Sequence, residues 1–132
     1  MTEKIIWLKQ AKTVLDRTGP GMCLAKWLQV TLHLQNGHTH SCHHPSPHYV
    51  PVEEIKRNYK ALHNSEFKKQ QRKLMLEGKR PSECDYCWRV ENNGNISDRM
   101  YKSLEPWAIY NHDRIQNLNT NDNIYPTYLE VD

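Results

Sequence analysis

Apolar residues recur at three- and four-residue spacing near the N-terminus. Ile5, Leu8, Ala11 and Leu15, with Val14 beside them, predict an amphipathic helix over residues 3–17. Gly19-Pro20-Gly21 stops it. The period then changes. Val30, Leu32 and Leu34 alternate with Thr31 and His33, as a half-buried strand requires. Asn36-Gly37 is a hairpin turn signal, because a two-residue turn needs positive φ at both central positions. Residues 27–42 therefore predict a β-hairpin, with a return strand over 38–41 and Cys42 at its end. Residues 43–51, with Pro45, Pro47 and Pro51, predict a loop.

A short helix is predicted over 53–62. A second begins at Asn64 or Ser65, both good caps, and carries Phe67, Leu74 and Met75 as a narrow apolar stripe. Gly78 and Pro81 end it. Residues 84–90 predict a tight turn leading into helix, and Ser97 caps another helix running to Trp107. Residues 111–123 hold five asparagines without apolar periodicity and predict a loop; residues 124–131 predict a strand. A strand in that position needs a neighbour to pair with. The expected class is α+β: a small metal-centred domain with a β-hairpin followed by several short helices.

Composition explains why a metal enters that expectation. Of 132 residues only 37% are hydrophobic, and Phe occurs once. Mean hydropathy is −0.89. So thin a core calls for help from a metal, a cofactor or a partner. No apolar run approaches the roughly 18 residues of a membrane span. The N-terminus lacks the apolar core of a signal peptide. A cytoplasmic, reducing setting is expected, where cysteines bind metal or react more often than they form stable disulfides.

Net charge is +3, unevenly distributed. Residues 56–80 carry Lys56, Arg57, Lys60, Lys68, Lys69, Arg72, Lys73, Lys79 and Arg80 against Glu66 and Glu77. The stretch reads as a solvated helix face in preference to a nucleic-acid surface, so nucleic acid is not the expected partner.

The chemistry lies in four cysteines: Cys23, Cys42, Cys84 and Cys87. Cys84-Asp85-Tyr86-Cys87 is a CxxC, whose one turn aims two sulfurs at a single centre. Cys23 and Cys42 sit at the two ends of the predicted hairpin, which brings them together. Two pairs make four ligands, enough for a closed tetrahedral zinc or one iron–sulfur cluster. Spacing alone favours structural zinc, although a zinc ribbon normally presents two CxxC knuckles and one is present here. Four unligated core cysteines fit poorly with the polar surroundings of Cys84 and Cys87. A redox disulfide lacks the strand-then-helix context of a thioredoxin motif.

Six histidines lie between residues 33 and 48: His33, His38, His40, His43, His44 and His48. They read as solvated loop and strand residues. His43 or His44 is able to replace a cysteine ligand, or to contribute to a separate weak site. Trp27 and Trp88, each near a cysteine, suit either packing or a dry shell around a metal. Arg99, Tyr101 and Lys102 follow the CxxC and are polar. No phosphate-binding glycine loop is present.

The order Cys23-x13-Gly37-x4-Cys42, a long gap, then Cys84-x2-Cys87 resembles the SPASM/twitch auxiliary-cluster domains of radical SAM proteins. The likeness is strongest to the twitch-type members of phage and environmental sequences. It runs from Cys23-Leu24-Ala25-Lys26-Trp27 through Asn64-Ser65-Glu66-Phe67 and Met75-Leu76-Glu77-Gly78-Lys79-Arg80-Pro81 to Glu91, Ser97 and Arg99. The resemblance implies a half-SPASM fold with one 4Fe–4S cluster held by Cys23, Cys42, Cys84 and Cys87, zinc being the alternative. The implied organisation is an N-terminal helix and linker over 1–20, a cluster-binding domain over 21–107, and a loop and strand over 108–132 leading towards a barrel.

Three departures qualify the match. No further cysteines follow the CxxC. His43 stands where relatives often carry a second cysteine. The CxxxCxxC that cleaves S-adenosylmethionine is absent. The implied role is thus electron transfer, substrate positioning or structural support, with no catalysis by this chain alone. The implied partner is a radical SAM barrel, either lost by truncation or supplied by a separate subunit, acting on an unknown substrate.

Overall fold

β1 (Gln29–His33) forms the centre of the sheet, in which alternation gives way to burial on both faces. Gln29, Val30 and Thr31 are all buried, and β1 is flanked by β2 (His38–His40), antiparallel, on one side and by β4 (Tyr128–Val131), parallel, on the other. β3 (His48–Tyr49) adds to β2, giving a four-stranded mixed sheet in the order β3-β2-β1-β4. With seven helices (none longer than α1, Thr2–Asp16) around it, the described residues form a small α+β domain. The computed structural model describes residues 2–120 and 122–132.

The hairpin is present, but its turn differs from the prediction. Among the described residues only glycines have positive φ, so Asn36 does not adopt the two-residue turn conformation. His33 pairs with His38, and Leu34–Gly37 form a longer loop closed by Gly37 N–H on the His33 carbonyl. Gly37, at φ +72°, supplies the left-handed step. Its carbonyl accepts from Val50, which draws the proline-bearing segment against the hairpin and lets β3 form where a loop was expected.

Local chemistry sets the other boundaries. α3 (Val52–Arg57) ends five residues early because Asn58 leaves the helical region and its side chain accepts from the Lys60 N–H, a local turn that competes with helix. α4 (Glu66–Leu76) starts where expected, with Ser65 accepting from Lys68 N–H. The helix expected to reach Trp107 breaks into α6 (Asp98–Ser103) and α7 (Pro106–Ile109), since Glu105 precedes a proline and is driven to extended backbone. β4 begins at Tyr128, past Pro126, which has no N–H to give the sheet.

The core gathers Leu15 from α1, Met22 and Leu24 from the linker, Trp27 and Leu28 from α2 (Ala25–Leu28), Met75 from α4, Ala108 and Ile115. Burying this set is the main apolar contribution to folding. α4 does not bury the stripe expected of it. Phe67 is 43% exposed and packs on the His48 ring, while Lys68 and Arg72 join Met75 inside. Arg72 donates to the Lys26 carbonyl, the Asn64 side chain and the His63 carbonyl, so its guanidinium replaces water for three buried acceptors. The basic stretch is therefore only partly a solvated face.

Two backbone segments cross closely near the cysteines. A Cβ on Gly21 would fall 2.1 Å from the Lys79 carbonyl oxygen, and one on Gly19 would fall 2.7 Å from Gly78 Cα. The Gly-Pro-Gly segment is more than a helix stop. It lets the strand of chain carrying Cys23 lie directly on the one leading to Cys84.

Candidate metal centre

Three segments deliver the four cysteines to one place. Cys23 precedes α2, Cys42 follows β2, Cys84 closes a 3₁₀ turn (Ser82–Cys84), and Cys87 lies in the first turn of α5 (Asp85–Asn92). All four thiols are free and line a single cavity with Lys26, Ser41, His44 and Trp88 among its other walls. The hairpin-end reasoning holds for Cys23 and Cys42, although a helical turn, not a strand, intervenes between Cys23 and β1.

Burial pushes the Cys23 thiol up to about 12 and the Cys84 thiol up to about 11, with neighbouring cysteines adding to both. Burial also raises Cys87. Three groups work against that cost. The Ala25 N–H lies beside the Cys23 sulfur, and the Arg99 N–H and Ser97 hydroxyl lie beside the Cys87 sulfur, each favouring the thiolate. These donors come from the starts of α2 and α6, not from the CxxC turn.

Lys26 adds a buried positive charge. Burial opposes that charge, but Cys84 and the ion pair with Glu83 outweigh it and hold the Lys26 pKa above its ordinary value. Ser41, 2% exposed, has a buried hydroxyl without a hydrogen-bond partner among the described residues, and it lines the same cavity. A cavity of sulfur ligands with surrounding donors, a buried cation and an orphaned hydroxyl suits an anionic metal–sulfur core.

A second group overlaps the first. Cys42, His43 and His44 bring their ligand atoms within 4.8 Å of one another and can hold a metal ion. No three of the four thiols meet that spacing among the described residues. His44 Nε2 lies 2.5 Å from Asp98 Oδ2, and its ring stacks on Tyr86 at 4.0 Å.

Comparison with family models, with curated proteins and with solved structures returns no match to this chain. The reading of the site therefore rests on its residues.

The remaining candidates separate. Trp88 borders the cysteine cavity and donates to the Pro81 carbonyl at 2.7 Å; Trp27 lies in the core and donates to Asn119. Arg99 and Lys102 reach the cavity, whereas Tyr101 is exposed elsewhere. Arg99 is chiefly a clamp. It holds Glu91 through two bonds, Asp16 at 2.9 Å and the Met22 carbonyl at 3.0 Å. The histidines are less solvated than expected. His33 and His40 meet at 3.0 Å, His48 meets Ser65 at 2.8 Å, and His63, outside the predicted cluster, is buried. Ser41, Lys26, Glu83 and Asp98 were not singled out from sequence. Ser41 and Glu83 carried one signal, adjacency to a cysteine; Asp98 carried none, since its link to His44 spans 54 positions.

No helix among the described residues is long and apolar enough to cross a membrane.

Proposed function

We propose that this chain is an iron–sulfur accessory module of the twitch/SPASM kind, holding one 4Fe–4S cluster on Cys23, Cys42, Cys84 and Cys87 and serving a radical SAM system in electron transfer or substrate positioning. The observation that carries the reading is the convergence of four free thiols, from three separate segments, on one cavity. Their spacing supports the larger core. Zinc–sulfur bonds of about 2.3 Å place tetrahedral thiolates roughly 3.8 Å apart, and these thiols stand wider than that as a set. An iron–sulfur cube takes wider ligands, and bound there it supplies one-electron chemistry.

The chain's own groups would set how that centre behaves. Backbone N–H groups of Ala25 and Arg99 stand beside the Cys23 and Cys87 sulfurs, Lys26 offsets negative charge, and Trp88 forms one wall. With all four cysteines engaged no ligand position is open, so the module would not itself cleave S-adenosylmethionine.

The test is the iron, sulfide and zinc content of protein purified without oxygen, read with its absorption spectrum. About four irons and four sulfides per chain are expected, with visible absorbance lost in Cys42→Ala. A folded, colourless chain with one zinc overturns the reading. The zinc-stabilised interaction or nucleic-acid-binding module is the second reading, favoured by the Cys42–His43–His44 group. The burial of Lys68 and Arg72 weakens its nucleic-acid form, since two of the stretch's cations face inward.

A further inference from the structure

Cys42 belongs to two sets of ligands at once. Towards the interior it joins the other three thiols. Towards the surface it lies with His43 and His44, the three ligand atoms within 4.8 Å. A fourth donor stands beside them. Asp98 Oδ2 is 2.5 Å from His44 Nε2 and 3.8 Å from His43 Nε2. The groups come from two elements, the segment after β2 and the first residue of α6.

We propose that Cys42, His43, His44 and Asp98 form a second metal site, for a divalent ion of the zinc and cobalt class, that the chain fills when its thiol cavity is empty. One thiolate, two imidazoles and one carboxylate make a borderline donor set, which suits these ions better than magnesium or calcium. Cys42, His43 and His44 already meet a metal-site spacing, and Asp98 lies within reach of both imidazoles, so binding would draw four donors to the bonds of about 2.0–2.3 Å that a four-coordinate ion takes. The thiolate and carboxylate together balance the ion's two charges. On binding, the Cys42 thiol proton leaves to solvent, and the His44 proton passes through solvent exchange from the nitrogen facing Asp98 to the other ring nitrogen, leaving a neutral imidazole ligand.

Stacking on Tyr86, at an interplanar angle of 16°, fixes the His44 ring. His43 is exposed and gives the ion access from solvent. Because one sulfur serves both ligand sets, the two loadings compete for Cys42. That last consequence rests on the proposed cluster; the site itself does not.

Cobalt(II) is the probe, added to the full chain freed of iron and kept reduced. One equivalent is expected to bind, with a thiolate-to-cobalt charge-transfer band and the intense visible bands of four-coordinate cobalt. His43→Ala, at an exposed position, and Asp98→Asn are each expected to weaken binding about a hundredfold or more, since even supporting residues of metal sites cost 10–100-fold. Far-UV circular dichroism and a melting curve establish that both variants fold. Cobalt affinity that ignores His43→Ala and instead follows Cys23→Ala or Cys84→Ala overturns the site, as does failure to bind. Iron and sulfide added to the cobalt form should expel the cobalt, and His43→Ala should still load iron and sulfide. If the wild type never assembles iron and sulfide while cobalt binds in a His43-dependent way, the cluster reading falls and the second site stands.

Discussion

The Nδ1 of His63 accepts a hydrogen bond from the Nζ of Lys68 across 2.7 Å, in the interior. His63 Nε2 lies 2.7 Å from the Trp27 carbonyl, which can only accept, so the ring proton is on Nε2 and Nδ1 carries the lone pair. Protonating the ring would turn Nδ1 against a buried amine. Burial, then Lys68 and Arg72, accordingly pushes His63 down to about 2, and burial followed by Lys68 pushes His48 down to about 4. Both values lie below the ordinary 6.5, so the unfolded chain binds these protons first. Stability is full above pH 6.5 and falls as pH drops towards 4, each such group adding about 1.4 kcal/mol per pH unit at most. Urea titrations between pH 7 and pH 4.5 should show this decline, with a shallower one in His63→Gln.

Arg99 and Glu91 are both almost wholly buried, at 1% and 3% side-chain exposure, and meet at 2.6 Å. Burial works against Glu91, but Arg99 and Ser97 outweigh it and hold its carboxyl below the ordinary value. Arg99→Met removes the main partner and leaves the buried carboxylate only the Ser97 hydroxyl and a distant Arg80, expected to cost about 3–5 kcal/mol. The loss also frees the Met22 carbonyl beside Cys23. The variant should melt earlier, and metal content per folded chain should fall with it; unchanged melting would contradict the clamp.

Glycines 21 and 94 offer a matched contrast. Gly94 has φ +81° with open space around its missing Cβ, whereas Gly21 has ordinary backbone but a carbonyl 2.1 Å from that point. Gly94→Ala should cost about 1 kcal/mol, a local conformational price. Gly21→Ala must separate two crossing segments and should cost more than about 2 kcal/mol. Chemical denaturation of the two variants checks the order.

The raised thiols of Cys23 and Cys84 predict slow alkylation in the metal-free folded chain. Thiolate is the reactive form, and a shift from 9.0 to about 12 leaves Cys23 with far less of it near neutral pH. Iodoacetamide labelling followed by mass spectrometry should show Cys23 modified on the order of a hundredfold or more slower than in urea.

Local pattern carried most of the fold. Leu8, Ala11 and Leu15 face inward as their spacing predicts, Ser65 and Ser97 cap helices, and residues 29–40 form the hairpin. Ile5, on the same predicted stripe, is 42% exposed because the helix outruns the core. What periodicity missed was tertiary. Nothing in the run around Lys68 and Arg72 says that two cations turn inward, since their acceptors lie on distant carbonyls of residues 26 and 29. The parallel pairing of β4 with β1 was legible only as a demand for some neighbour. At the site, counting cysteines found all four cavity thiols, while the Ser41 hydroxyl and the Asp98 carboxylate depend on folding to arrive there.

The wide separation of the sulfur-bearing segments along the chain imposes an order of events during synthesis. Cys23 and Cys42 leave the ribosome well before Cys84 and Cys87, and the glycine crossing cannot form until residue 79 is available. On the cluster reading, an inorganic core that needs all four sulfurs would be delivered only to a chain already translated past residue 87.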